Sequence, residues 1–276
     1  MKTAVYTFLL IIVFSCKNST ENTETKVTDQ LLEENELNLI ADEAESHIED
    51  LFQEVTEGDF KNHFDILLPG EYRDWEAENP VNNISKSWIE LYKKESKYYL
   101  DKANYSIESG YSECSGDSTK ILKSKNENLL FLNHATLKLG EVQTINIDKN
   151  KIWPQEKISF NFNDIIYTIR AEGDVLSSQK VPTDEGEEIY QDVENYKLYI
   201  SSNKTSETLF LEQDSFNDKF VELLFIGDLD TDGKPDFIFG ANRDYEEERV
   251  LLYLSSQAKE GSLIEKVSEI AIQSDC

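Results

Sequence analysis

The sequence predicts a mainly β protein: an antiparallel sheet, sandwich or partial barrel preceded by a helical segment, α+β by class. Two observations point there. From about Trp88 onward, short runs rich in Ile, Val, Tyr, Phe and Thr alternate with polar residues, with turn signals between them. No stretch between those runs is patterned as a crossover helix, which argues against a parallel sheet. The composition allows a packed core: of 276 residues 39% are apolar and 11% aromatic, so a chain disordered throughout is excluded. Asp and Glu number 55 against 27 Lys and Arg, a formal charge of −28 at pH 7. Such a surface repels phosphate backbones and anionic lipid, which excludes a nucleic-acid partner.

The chain opens on a targeting segment, residues 1–15. Lys2 supplies a positive start, and residues 4–14 (AVYTFLLIIVF) form an uninterrupted apolar run. At 1.5 Å per residue that run spans about 16 Å, too short for a bilayer core of roughly 30 Å, so it matches a secretory signal rather than a membrane span. Val13-Phe14-Ser15-Cys16 follows. This motif resembles the lipobox of bacterial lipoproteins. The resemblance implies cleavage before Cys16, lipid on its thiol and new amino group, and a membrane partner reached through that lipid. Two or more acyl chains hold a protein stably where one does not. Lys17, in place of the Asp that retains lipoproteins in the inner membrane, implies the outer membrane; Glu21 and Glu24 leave open which of its faces is occupied. Residues 16–30 then make a polar tether.

Residues 31–80 are expected to be a helical segment. Leu37, Ile40, Ala44, Ile48, Leu51, Phe52 and Val55 recur at helical spacing, and Gly58 ends the pattern. A second apolar cluster, Phe60, Phe64, Ile66, Leu67 and Leu68, stops at Pro69-Gly70. Trp75 falls in an acidic loop. The segment is expected to cover one face of a β domain over 81–276.

Strands are expected in that domain at 98–105, 120–123, 129–132, 136–139, 142–147, 157–162 and 165–171. Further strands are expected at 196–201, 208–211, 221–226, 236–239 and 250–254. Asn161-Phe162-Asn163-Asp164 is patterned as a hairpin turn. Residues 184–194 (DEGEEIYQDVE) are expected to form an exposed acidic loop. Residues 264–272 fit a strand or a short helix equally.

Chemistry concentrates in Gly227-Asp228-Leu229-Asp230-Thr231-Asp232-Gly233-Lys234-Pro235-Asp236. Carboxylates stand at positions 1, 3, 5 and 9 of the loop 228–236, with Gly at 6. A hard divalent cation takes six to eight oxygens, which alternate residues of a tight loop can turn to one centre. Gly233 would supply the positive φ of the sharp turn. The pattern is no EF-hand, since Phe239 stands where the closing carboxylate would be. Strand–loop–strand with D-h-D-x-D-G-x-x-D resembles the calcium-binding FG-GAP repeat. Mapped here, the resemblance implies Ca²⁺ held by the side chains of Asp228, Asp230, Asp232 and Asp236 and the carbonyl of Lys234; an acidic turn without an ion is the alternative. One such loop is present, so a repeat propeller is not expected. The stretch 225–276, with Ser255-Ser256 and a terminal Cys, also resembles the end of a group of uncharacterised secreted bacterial proteins.

With Cys16 lipidated, Cys114 and Cys276 remain as a candidate disulfide in an oxidising compartment, the alternative being two unpaired thiols. The bridge would close a loop of 163 residues, stabilising by up to roughly 5 kcal/mol in the chain-entropy account. No H-E-x-x-H, G-x-S-x-G or Walker pattern occurs, so no catalytic residue is assigned. The expected role is binding or scaffolding in the cell envelope, with an unknown protein or glycan ligand. A carbohydrate-binding or carbohydrate-processing protein and a subunit of an envelope complex are the alternatives. An aromatic sugar platform built from Trp75, Trp88 and Trp153 would need exposed rings; a core role would bury them.

Overall fold

The computed structural model describes residues 60–74, 79–146, 148–183, 186–216 and 219–274, all within the unit Phe60–Cys276. The helical pattern over 31–56, Cys16, Trp75 and Cys276 lie outside the described residues. Sixteen strands and one 3-10 turn (Pro80–Asn83) follow one another among the described residues. The first eight strands are β1 (Ile66–Leu67), β2 (Gly70–Arg73), β3 (Ile89–Lys94), β4 (Lys97–Lys102), β5 (Tyr105–Tyr111), β6 (Ser118–Ser124), β7 (Glu127–Leu132) and β8 (Gly140–Val142). The others are β9 (Lys157–Phe162), β10 (Ile165–Thr183), β11 (Gly186–Ser202), β12 (Thr205–Ser215), β13 (Glu222–Gly227), β14 (Asp236–Gly240), β15 (Glu247–Leu254) and β16 (Glu265–Gln273).

They form four antiparallel sheets, ordered β1-β7-β3-β4-β8, β2-β6-β5, β12-β11-β10-β9 and β13-β14-β15-β16. The mainly β, antiparallel expectation holds, and the sheets do not close into a barrel. The β13–β16 sheet is central. Its apolar runs are continuous because both of its faces are covered. Phe225, Ile238, Val250, Leu252, Leu254 and Val267 enter one core, with Leu67, Leu91, Leu100, Leu130 and Leu132 of the five-stranded sheet and Tyr72 and Leu122 of the three-stranded one. Leu223, Ile226, Phe237, Phe239, Leu251 and Tyr253 enter a second core, against Ile169, Ala171, Tyr196, Leu198 and Ile200 of the β9–β12 sheet.

Several local expectations are corrected. Residues 60–74 carry β1 and β2 where the helical segment was expected to continue. The cluster Ile66-Leu67-Leu68 is too short for its periodicity to separate helix from strand. Tertiary pairing decides it: Ile66 and Leu67 join β7, and the Tyr72 hydroxyl donates to the Leu68 carbonyl while accepting from the Leu68 N–H, pinning the turn at Pro69-Gly70. Residues 136–139 are a turn rather than a strand. Residues 186–194, expected as an acidic loop, are the first half of β11, paired with β10 with one register shift between Val175 and Ser177. Residues 264–272 resolve as β16. The hairpin at Asn163-Asp164 forms as expected: φ is 47° and 65° at its two central residues, and Phe162 pairs with Ile165.

Candidate metal centre

The acidic loop joins β13, an edge strand of the central sheet, to its neighbour β14. β13 ends at Gly227 and β14 starts at Asp236, paired with each other. Between them the chain turns through two left-handed residues, Thr231 (φ 62°) and Gly233 (φ 83°). Gly233 takes this conformation without the Cβ cost that Thr231 bears.

The turn wraps its own donors around the carboxylates. Asp228 accepts hydrogen bonds from the Asp232 N–H (3.1 Å) and the Gly233 N–H (3.0 Å). Asp230 accepts from the Asp232 N–H at 3.2 Å. Asp236 is fully buried, and it accepts from the Leu229 N–H and the Ser255 N–H, both at 2.8 Å. Ligand oxygens of Asp228, Asp230 and Asp236 all lie within 4.8 Å of one another. Asp232 is not part of that group. Its carboxylate accepts from the Lys234 N–H and faces the Ser255 hydroxyl, with the Lys234 ammonium 3.7 Å away.

The electrostatics follow from this crowding. Burial pushes the Asp236 carboxyl up to about 8; the bonds from Ser255 and Leu229 pull it down, and the nearby charge of Asp230 pushes it up again. Asp228 is also raised, first by burial and then by the charges of Asp232 and Asp230, against the bond from Gly233. An all-oxygen donor set with this excess of negative charge suits a hard divalent cation.

Two residues outside the loop complete the arrangement. Ser255 follows β15, and its hydroxyl lies 3.1 Å from Asp236 and 3.1 Å from Asp232. Ser256 donates its hydroxyl to Asp230. The sequence marks Ser255-Ser256 only as a shared feature; no local signal places them on the loop. Asn163, in the β9–β10 turn, donates its side-chain amide to the Gly233 carbonyl at 2.8 Å and ties the loop to the second layer.

Cys114 lies in the exposed connection between β5 and β6, and Cys276 is outside the described residues. Trp88 and Trp153 are buried, so they form core rather than a sugar platform. His63 and His134 line one shallow hollow, with His134 edge-on to Phe64 and bonded to the Thr136 hydroxyl.

Compared with family models, curated proteins and solved structures, the chain matches none.

Proposed function

We propose that this protein is a bacterial cell-envelope lipoprotein, anchored through lipid on Cys16, whose β domain is braced by Ca²⁺ at the 228–236 loop and serves as a binding or scaffold module. The observation that carries the metal reading is the convergence of Asp228, Asp230 and Asp236 around a carboxylate taken wholly out of water. In its charged form that buried carboxylate needs a partner, and the charge that acts on it is another carboxylate, Asp230. A divalent cation removes that repulsion and couples the β13–β14 turn to the end of β15.

The role is structural bracing. Extracellular Ca²⁺ modules bind in roughly the 10⁻⁴–10⁻³ M range, which suits a site filled continuously outside the cell. The FG-GAP resemblance supports the assignment of Ca²⁺, and the lipobox supports the address. A Cys114–Cys276 bridge would pin the chain end that follows β16.

A thermal melt tests the metal reading, run in EDTA and then in millimolar Ca²⁺, on the wild type and on Asp230→Ala. A rise in Tm with Ca²⁺ that the variant lacks is the expected result. No shift, with no heat of binding by calorimetry, overturns it. Mass spectrometry of the N-terminal peptide tests the anchor: the expected species begins at Cys16 and carries acyl chains.

A further inference from the structure

A cleft of ≈740 Å³ opens at the end of the central sheet where β13 starts, β14 ends and β15 starts. Its floor includes Leu224 and Gly240, on neighbouring strands β13 and β14. The distal arm of the β10–β11 hairpin lines it with Tyr190, and the connection from β14 to β15 lines it with Tyr245. Lys151 reaches both Glu188 on the arm (3.3 Å) and Glu222 on β13 (3.5 Å), and so holds the arm at a set distance from the sheet.

The charges around the cleft are mostly neutralised within the protein. Lys151 serves Glu188 and Glu222, Arg243 pairs with Glu247, and Arg249 pairs with Glu269. Glu248 and Lys219 differ. Both line the cleft, and neither side chain has a hydrogen-bond partner among the described residues. They sense each other's charge without forming an ion pair. An acceptor and a donor thus line one cleft together with Leu224 and two Tyr residues.

That combination selects among ligands. An anion is repelled by a chain of net charge −28. A cation attracted by Glu248 meets Lys219. A neutral polyhydroxylated ring satisfies both groups with different hydroxyls and lays its C–H face on an aromatic side chain.

We propose that this cleft binds a neutral saccharide, with Glu248 accepting from one hydroxyl, Lys219 donating to another, and Tyr190 and Tyr245 lining the ring. The inference rests on the binding-module reading above and is independent of the calcium and lipid assignments.

The test uses the full chain, solubilised in mild detergent, on an array of neutral and acidic oligosaccharides, beside Glu248→Ala and Gly240→Val. Gly240 admits a Cβ: one built there would meet only the Leu224 side chain, at 3.5 Å, so valine adds bulk beside Leu224. Melts of both variants that match the wild type establish that they fold. The expected result is retention of a neutral oligosaccharide, weakened about tenfold or more by Glu248→Ala and lost in Gly240→Val. Retention of no neutral oligosaccharide, of acidic or amine-bearing glycans only, or of the same glycans by Gly240→Val overturns the proposal. The calcium reading is judged separately, by the EDTA melt, so either can fail alone.

Discussion

Ser255 grips the buried carboxylate of Asp236 from across the sheet: its N–H donates to Asp236 Oδ1 at 2.8 Å, and its hydroxyl lies 3.1 Å from the same oxygen. The hydroxyl also faces Asp232, so one serine orients two carboxylates of the loop. Ser255→Ala keeps the backbone bond and removes the hydroxyl. The expected cost is about 1–2 kcal/mol of stability, with a smaller rise of Tm on adding Ca²⁺ than the wild type shows. A melt of the variant with and without Ca²⁺ checks both parts.

Asp236→Asn removes the buried carboxyl but not the surrounding donors. Asp236 Oδ2 accepts from Leu229 and Oδ1 from Ser255. An amide offers one acceptor oxygen and one NH₂, so it sets a donor against one of those N–H groups. The variant is therefore expected to be less stable than the wild type by about 1–3 kcal/mol even in EDTA, and to lose the response to Ca²⁺. Denaturant unfolding in EDTA measures the first and calorimetry the second.

What the sequence made legible follows from where each signal originates. The runs 221–226, 236–239 and 250–254 announce strands because the central sheet is buried on both faces, so nearly every position there is apolar. The 228–236 loop is legible because its carboxylates and glycine are adjacent in the chain. β3 is hidden, since Glu90 and two lysines interrupt its pattern; Glu90 is fully buried, and the groups that make this tolerable lie 14 to 38 residues away. Residues 186–194 look like a loop because the hairpin arm is mostly exposed, and its backbone ladder to β10 rather than burial keeps it extended. Ser255 and Ser256 escape for the same reason as the partners of Glu90: their role is set by a strand that returns beside the loop.

Glu90 itself is a stringent test of the first layer. Its carboxylate accepts from the Ser124 hydroxyl at 2.7 Å, from the side-chain amides of Asn126 (2.6 Å) and Asn128 (3.1 Å), and from the Asn104 N–H at 3.3 Å. These bonds join β3 to the β6–β7 turn and to the connection before β5. Glu90→Leu keeps the volume and strands four donors. Destabilisation of about 2–4 kcal/mol is expected, read as a drop in the denaturant midpoint with an unchanged slope.

Glu269 gives the fold an acid-sensitive pair. Burial works to raise its carboxyl, but the Lys266 ammonium at 2.8 Å and the Arg249 guanidinium at 3.1 Å outweigh that and hold it below the ordinary carboxylate value. On acidification the unfolded chain takes up this proton first, near pH 4.3, while the folded chain resists. The contribution is thus fully present above that pH and lost as pH falls through the folded-state value. Melts between pH 6 and 3 are expected to show a smaller acid-induced drop in Tm for Glu269→Gln than for the wild type.

Gly227 is the point where two layers touch most closely. It pairs with Thr144 in an isolated bridge, the Asp228 N–H donates to the Gln143 carbonyl at 2.9 Å, and the Ile145 N–H donates to the Ile226 carbonyl at 3.0 Å. A Cβ on Gly227 would sit 2.6 Å from the Phe225 ring, 2.7 Å from the Gln143 carbonyl oxygen and 2.9 Å from the Thr144 methyl. One of these is backbone and cannot swing aside, so the segment 143–145 must move. Gly227→Ala is expected to cost about 1–3 kcal/mol. Because Asp228 is the next residue, the shift also displaces the first carboxylate of the loop, so a weaker Ca²⁺ response should accompany the lower stability. A variant that melts like the wild type and keeps its full response to Ca²⁺ would show that the bridge is not what sets the loop.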